Sequence, residues 1–568
     1  MHYVALASDY DGTLATDSIV PPSTLEALDR LRRLGRKVIL VTGRELDDLR
    51  SVMPDLERFD RIVAENGALL YRPKEKEMKA LASPPPPAFI DRLRERDVLP
   101  LSVGAVIVAT WQPNERIVLE TISELGLELQ IIFNKGAVMV LPSGVNKATG
   151  LAAALEEIGL SPHNVVGAGD AENDHALLAL CGFSMAPANS LPMVKEAVDL
   201  VTAGARGAGV EELIGRMLED DLASLEERVR HPRVLLGQAA TGEPVMLPRY
   251  GGRVLLAGTS GAGKSTLVAG VLERLAGAAS QFCVIDPEGD YQGLAVALAV
   301  GDGDQAPKAA KILELLEKPN QSVVANLLAV KLDERPGLFA ELVPALEQLK
   351  LRTARPHWLF VDEAHHLLAE ERQGLGERMD GWPGLFLITV HPDQIAASVL
   401  AEVDTLIVMG QSVSETVAQF RSRTGWPDVA DPPAPDPGEA LLFQRHVAGE
   451  GRRLVVTPPT AVRLRHQRKY AEGKLGDDKS FFFRGPEGRL NLKAHNLDLF
   501  MQMADGIDDT TWLYHLRAGD YSRWFRESIK DAELANATAA IEAEAGLAVG
   551  ESRARIRAAI EKRYTGAA

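Results

Sequence analysis

The stretch GTSGAGKS, residues 258–265, constrains this chain more than any other. It follows the apolar run RVLLA (253–257) and leads at once into TLVAGVLERL, whose apolar residues recur at helical spacing. Strand, glycine-rich turn and helix in that order put the turn at the carboxyl end of a strand in a parallel sheet. There Gly258, Gly261 and Gly263 let backbone N–H groups and the helix N-terminus close around a phosphate. Lys264 reaches the outer phosphates of such a ligand, and Ser265, with Thr266 beside it, is placed to hold magnesium.

The surrounding region continues the alternation. Apolar runs recur at 233–236, 281–285 (QFCVI), 322–326, 357–361 (HWLFV), 385–389 (LFLIT) and 405–409. Each is short and unbroken, as strands covered by helices on both faces are. HWLFVDEAHHLL (357–368) ends one run in Asp362, placed to orient magnesium through water, and Glu363, placed as the base that activates water for hydrolysis. Two acids at a helix start also suit the helix dipole, so the glycine-rich loop upstream is what makes the pair chemical.

A second α/β series opens the chain. YVALAS (3–8), KVILVT (37–42) and 62–64 read as strands, and 24–35 as an amphipathic helix with Leu25, Leu28, Leu31 and Leu34 on one face. DYDGT (9–13) follows the first strand, and period-two geometry sends Asp9 and Asp11 to the same side, beyond the strand's carboxyl end. Paired carboxylates there can divide the work of phosphoryl transfer: one attacks phosphorus, the other protonates the leaving oxygen and later activates water. Both reactants are anionic, so a hard cation is needed, and oxygen ligands select Mg2+. Thr42 and Gly43, in VTGR, offer a hydroxyl and backbone N–H groups to a phosphate oxygen. Lys147 offers a fixed positive charge, and GDAEND (169–174) brings Asp170 and Asp174 to the metal. Singly, each piece is an ordinary turn or surface residue; four in order, each at a strand end, are a site.

Residues 1 to about 210 resemble the haloacid dehalogenase superfamily, in particular its Cof-type branch. The resemblance implies Asp9 as nucleophile, Asp11 as acid/base, Thr42 and Lys147 as phosphate ligands, and a Mg2+ site from Asp9, Asp11, Asp170 and Asp174. The segment between Glu65-Asn66-Gly67 and Lys147 becomes a cap (about 72–140), small like those of phosphoglycolate and sugar-phosphate phosphatases, and the substrate a small phosphorylated metabolite. Residues 233–460 resemble the HerA/FtsK-like ATPases through LLGQAATGEPVMLP, the glycine-rich loop, IDPEGDY (285–291), the DEAH segment and TVHPDQI (389–395). That resemblance implies ATP, a homo-oligomer (a hexamer in this family) and DNA or protein as the object moved. One departure stands out: Val390, with His391 beside it, occupies the place where the family commonly has a polar Gln. Arg421 or Arg423 is a candidate arginine finger, though a solvated helix is the plainer reading.

At 568 residues several cores are expected, and a formal charge of −17 argues against non-specific coating of DNA. Two separated cysteines, Cys181 and Cys283, in apolar surroundings exclude a disulfide framework, and with no run of about 18 apolar residues the expectation is a cytoplasmic protein. SPPPP (83–87) and DPPAPDPG (431–438) punctuate the chain as stiff spacers. The expected fold is α/β: a Rossmannoid phosphohydrolase domain at 1–215 with a small α/β cap, a helical connector at 216–232, an α/β nucleotide-binding domain at 233–460 and a mainly helical domain at 461–568. Arg463, Arg465, Arg468 and Lys469 form a basic cluster, read as a solvated helix face ahead of nucleic-acid contact. Three functions are compatible with these motifs: a Mg2+-dependent phosphomonoesterase fused to an ATPase, a DNA-handling or defence motor with an accessory phosphatase, and a nucleotide sensor gating a metabolic phosphatase.

Overall fold

The computed structural model describes residues 1–134, 136–230, 233–247, 252–369, 379, 382–426, 433–445, 451–460, 475, 480–486, 488, 490–529, 531–544 and 546–564. Among them the first sheet has eight strands: β1 (Ala5–Ser8), β2 (Lys37–Val41), β3 (Arg61–Ala64), β4 (Leu69–Arg72), β5 (Glu77–Ala80), and, after the insert, β10 (Val165–Ala168), β11 (Phe183–Ala186) and β12 (Leu200–Val201). Their spatial order is β12-β11-β10-β1-β2-β3-β4-β5, parallel except where β4 and β5 turn back. β1 thus has β10 on one side and β2 on the other, with Ser8 level with both Ala168 and Leu40. Apart from the exposed Lys37 that begins β2, the strands of this central trio are buried, as strands covered by helices on both faces are. The helix expected over 24–35 runs Pro22–Arg33, with Leu28 and Leu31 against the sheet.

The insert carries its own four-stranded antiparallel sheet, β6 (Ser102–Val103), β7 (Val108–Trp111), β8 (Leu129–Asn134) and β9 (Ala137–Pro142), ordered β6-β7-β9-β8. Helices Pro87–Glu95 and Glu115–Glu124 pack on one face through Phe89, Leu93 and Val118. β5, which falls inside the expected cap limits of about 72–140, pairs with β4 and extends the first sheet. Of the connector expected at 216–232, the described residues 216–230 are only partly helical: helix Gly207–Asp220 is followed by a 3-10 segment, Ala223–Arg228, and Leu222, Leu225 and Val229 are buried in the first core.

The second sheet runs β14-β13-β23-β22-β21-β15-β20-β19-β16-β18-β17. Its strands are β13 (Leu235–Ala239), β14 (Pro244–Met246), β15 (Arg253–Gly258), β16 (Phe282–Asp286), β17 (Leu298–Val300), β18 (Val323–Asn326), β19 (Trp358–Val361), β20 (Leu385–Thr389), β21 (Thr405–Met409), β22 (Glu439–Gln444) and β23 (Arg452–Val456). From β21 to β17 all neighbours are parallel, so the carboxyl ends of β15, β20 and β19 lie side by side. The two sheets meet at the opposite ends of their strands. His357, just before β19, accepts the Gln281 N–H at Nδ1 (2.8 Å), which leaves Nε2 to donate to Asn164 Oδ1, just before β10 (3.0 Å).

Beyond residue 480 the two short strands β24 (Phe481–Phe483) and β25 (Leu492–Ala494) precede five helices among the described residues. Phe481, Phe483, Phe500, Trp512, Tyr521, Trp524 and Phe525 form one aromatic core there, which accounts for their clustering without a ligand. The basic cluster at 463–469 lies outside the described residues. Both cysteines are buried and free. Among the described residues no helix is long and apolar enough to cross a membrane.

Candidate active sites

Parallel pairing of β10, β1 and β2 delivers three loops to one point. Asp9 follows β1, Thr42 follows β2, and Asp170 and Asp174 follow β10. Asp9, Asp170 and Asp174 are all buried, with carboxylate oxygens within 4.8 Å of one another. Lys147 is the first residue of helix Lys147–Glu157, which Asn146 caps by accepting from the N–H groups of Ala148 (2.9 Å) and Thr149 (3.1 Å). That start aims its ammonium between two carboxylates, 2.5 Å from Asp9 Oδ1 and 2.6 Å from Asp174 Oδ1. The other oxygen of Asp174 accepts from the backbone N–H of Asp170 (2.9 Å) and Ala171 (3.0 Å). Such close approach requires glycine at 169, where a Cβ would lie 2.5 Å from that of Asp174.

The charges do not balance. Burial, and then Asp174, push the Asp9 carboxyl up from 3.8 to about 8, although Lys147 pulls the other way. Burial works against the Lys147 ammonium too, but Asp174 and Asp9 outweigh it and hold its pKa above the usual lysine value. One ammonium among three buried carboxylates leaves a surplus of negative charge, and oxygen donors at this spacing fit a hard divalent cation.

Asp11 is not drawn into that cluster. Its carboxylate is held bidentately by Arg44, Nε to Oδ2 at 2.6 Å and Nη2 to Oδ1 at 2.8 Å. Arg44 belongs to the Thr42–Gly43–Arg44 loop, and its own N–H donates to Thr42 Oγ1 (3.1 Å). Three residues without an assigned role in the motifs join the site here: Arg44, Asn66 and Asn173. Asn173 Nδ2 donates to Asn66 Oδ1 (3.0 Å) beside Gly43, while Asn66 Nδ2 and Asn173 Oδ1 are buried with no partner among the described residues. Asn173 lies inside the GDAEND motif, whereas Arg44 and Asn66 carry no signal before the loops are brought together.

In the second sheet the glycine-rich loop leaves β15 and enters helix Lys264–Gly277. Gly258 has φ +146° and passes so close to β21 that a Cβ would stand 2.0 Å from the Met409 carbonyl oxygen. Gly261 and Gly263 also have positive φ. Lys264 donates to the carbonyls of Gly258 (2.8 Å) and Thr259 (2.9 Å), and Ser265 Oγ donates to Asp290 Oδ2 (2.7 Å). Thr266 N–H donates to the Gly263 carbonyl (3.0 Å), completing the helix start.

Asp362 and Glu363 leave β19, with β20 between them and the loop. Burial, then Asp286, Glu363 and Asp290, raise the Asp362 pKa well above the carboxylate range, as acids gathered for a cation would. Glu363 adopts φ +46° and its carboxylate lies 3.4 Å from His365 Nδ1, which is 3.1 Å from Thr389 Oγ1 at the end of β20. Burial, then His366 and His391, push the His365 imidazole down to about 4. Val390 brings no polar group to this strand end; Thr389 does. Arg421 Nε donates to the Trp426 carbonyl (3.3 Å), a contact within its own segment.

Residues 6–93 and 114–214 match the family of haloacid dehalogenase-like hydrolases, and residues 252–379 match the helicase HerA central domain. Phosphoglycolate phosphatase 2 of Saccharolobus solfataricus is 27% identical over 228 residues, covering 38% of this chain and 92% of that protein. The phosphoglycolate phosphatase of Methanothermobacter thermautotrophicus is 31% identical over 223 residues, covering 38% of this chain and 98% of that protein. Among solved structures, a haloacid dehalogenase-like hydrolase from Bacteroides thetaiotaomicron aligns at 21% identity and a TM-score of 0.34, over 38% of this chain and 99% of that one.

Proposed function

The chain belongs to the haloacid dehalogenase-like hydrolases through residues 6–93 and 114–214, and from that premise we propose that its first unit, about 1–215, is a Mg2+-dependent phosphomonoesterase acting on a small phosphorylated metabolite of the phosphoglycolate type. The observation that carries this reading is the buried Asp9–Lys147–Asp174 cluster, with Asp170 beside it, at the carboxyl ends of adjacent parallel strands. Asp9 attacks phosphorus and forms an aspartyl-phosphate while Asp11 gives a proton to the departing oxygen. Water, deprotonated by Asp11, then breaks the acyl phosphate. Thr42, Gly43 and Lys147 hold the phosphoryl oxygens. Asp9, Asp170 and Asp174 would hold the cation, which supplies the positive charge the carboxylate surplus lacks. Asp11 must leave Arg44 to do this work, and a substrate phosphate at the Thr42–Arg44 loop offers the guanidinium a replacement anion. Asp9→Asn should abolish phosphate release from 2-phosphoglycolate and from a generic aryl phosphate; full activity in that variant would remove Asp9 from its role.

For the HerA-like unit, about 233–460, we propose ATP binding at Gly258–Thr266 and hydrolysis with Asp362 on the metal and Glu363 as base. Asn164–His357 favours a nucleotide sensor over a free-standing motor, because it ties the start of the strand leading to Asp170 to the start of the strand leading to Asp362. Lys264→Ala should then change phosphatase kinetics in the presence of ATP. Identical kinetics, together with a hexamer whose ATPase rises with DNA, would favour the motor.

A further inference from the structure

Three residues at the end of β3, Glu65, Asn66 and Gly67, all have positive φ, and two of them are not glycine. Left-handed backbone at successive side-chain-bearing residues is held only where surroundings over-determine it. The surroundings here are the loops that build the phosphatase site. Glu65 N–H donates to the Arg44 carbonyl (2.9 Å) and Asn66 N–H to the Thr42 carbonyl (3.0 Å), so the phosphate loop is bonded to this segment. Asn66 touches Asn173 of the GDAEND loop. Gly67 abuts Asn146, the cap residue of the Lys147 helix, so closely that a Cβ would stand 1.9 Å from the Asn146 carbonyl oxygen.

The Glu65 side chain leaves this hub in the opposite direction, into the cap. Its carboxylate accepts three successive N–H groups in the turn between β6 and β7: Ala105 at 2.8 Å, Val106 at 2.7 Å and Ile107 at 2.8 Å. The carboxylate is buried, and a Cβ at Gly104 would come within 2.8 Å of Glu65 Oε1, so the turn is shaped around it. Val106 and Ile107, thus fixed, pack with Met139 and Leu141 of β9 over Ala68. Met139 is the ceiling of the site: a methyl group at Gly43 would meet its sulfur at 3.6 Å.

We infer that Glu65 is a positioning residue that holds the cap at one height above Asp9, and that the site therefore favours phosphomonoesters with small leaving groups over bulky ones. This rests on the phosphatase reading above. The charge-assisted bonds are the strong kind, and they run from the catalytic floor to the roof with no flexible link between. A leaving group is accommodated by the space under Met139, not by lifting the cap.

The test uses the full chain and three variants. Glu65→Ala removes the carboxylate; Glu65→Gln keeps its shape but turns an NH2 group toward N–H donors; Gly104→Ala disturbs the same contact from the cap side. For each, kcat and KM are measured with 2-phosphoglycolate and with 4-nitrophenyl phosphate, and hydrogen exchange is followed at amides 105–107. Release of the cap should lower kcat/KM for the small ester about tenfold to a hundredfold, chiefly through KM, and narrow its advantage over the aryl ester. Amides 105–107 should exchange faster in all three. A variant that merely lost active molecules would lower kcat for both esters alike with KM unchanged, and that result overturns the inference. So does unchanged exchange in Glu65→Ala. If the wild-type chain hydrolyses neither ester, the phosphatase reading has failed, and exchange at 105–107 alone decides whether Glu65 holds the cap.

Discussion

Magnesium binding at the first site should be coupled to the loss of a proton from Asp9. Burial and the Asp174 charge raise this carboxyl to about 8, so the metal-free folded protein holds the proton at neutral pH. A cation at Asp9, Asp170 and Asp174 needs the carboxylate, so it must displace that proton. Well below pH 8 each unit of acidification should then weaken apparent Mg2+ affinity about tenfold, and the step from pH 8 to 6 amounts to about fiftyfold, or about 2.3 kcal/mol. The stability of the metal-free chain runs the other way with pH. A carboxyl whose folded pKa lies above its unfolded value of 3.8 stabilises the fold at low pH, and that contribution is lost as pH rises toward 8. Saturating Mg2+ removes this dependence. Calorimetric titration in two buffers of different ionisation enthalpy measures the released proton directly: close to one per ion at pH 6.5, declining above 8. Asp9→Asn should abolish the release. Affinity that is flat from pH 6 to 8 with no proton release would refute the reasoning, since it would mean Asp9 is already ionised beside Lys147.

Three further outcomes test other parts of the structure. Gly258→Ala should lower stability by about 2 kcal/mol or more and abolish ATP binding, because its Cβ would collide with the Met409 carbonyl; Gly261→Ala, with nothing within 4 Å, should cost about 1 kcal/mol from φ alone, a contrast that thermal melts and nucleotide titration would read. Glu363→Gln should keep ATP binding and slow hydrolysis by about a hundredfold or more, separable by equilibrium binding and a phosphate-release assay. Arg44→Ala removes a partly exposed ion pair, so stability should change by about 1 kcal/mol or less, while KM for the phosphate ester rises; a stability loss of several kcal/mol on denaturant unfolding would contradict the assignment.

Much of the architecture was legible from pattern alone. The strands expected at 385–389 and 405–409 span the observed residues, and most others are displaced by one or two at an end. Short apolar runs between helices have few other solutions, and the glycine positions at 258, 261 and 263 announce backbone that only glycine adopts easily. Pattern alone does not tell that β5 extends the first sheet or that the segment after Asp220 packs on the first core. Whether a strand extends a sheet or begins a cap, and whether a helix links or packs, depends on which surface it meets.

The chain's own residue order therefore determined two strand-end phosphate motifs, the helices that follow them and the acids placed to serve them, because each is written in local spacing. Tertiary structure alone decided that Lys147 stands between Asp9 and Asp174, that Arg44 holds Asp11, that Thr389 reaches His365 beside Glu363, and that Glu65 anchors the cap. These contacts join segments distant in the chain, and their geometry comes from strand order and burial. No periodicity records them, since each residue taken alone would serve equally well on a solvated surface.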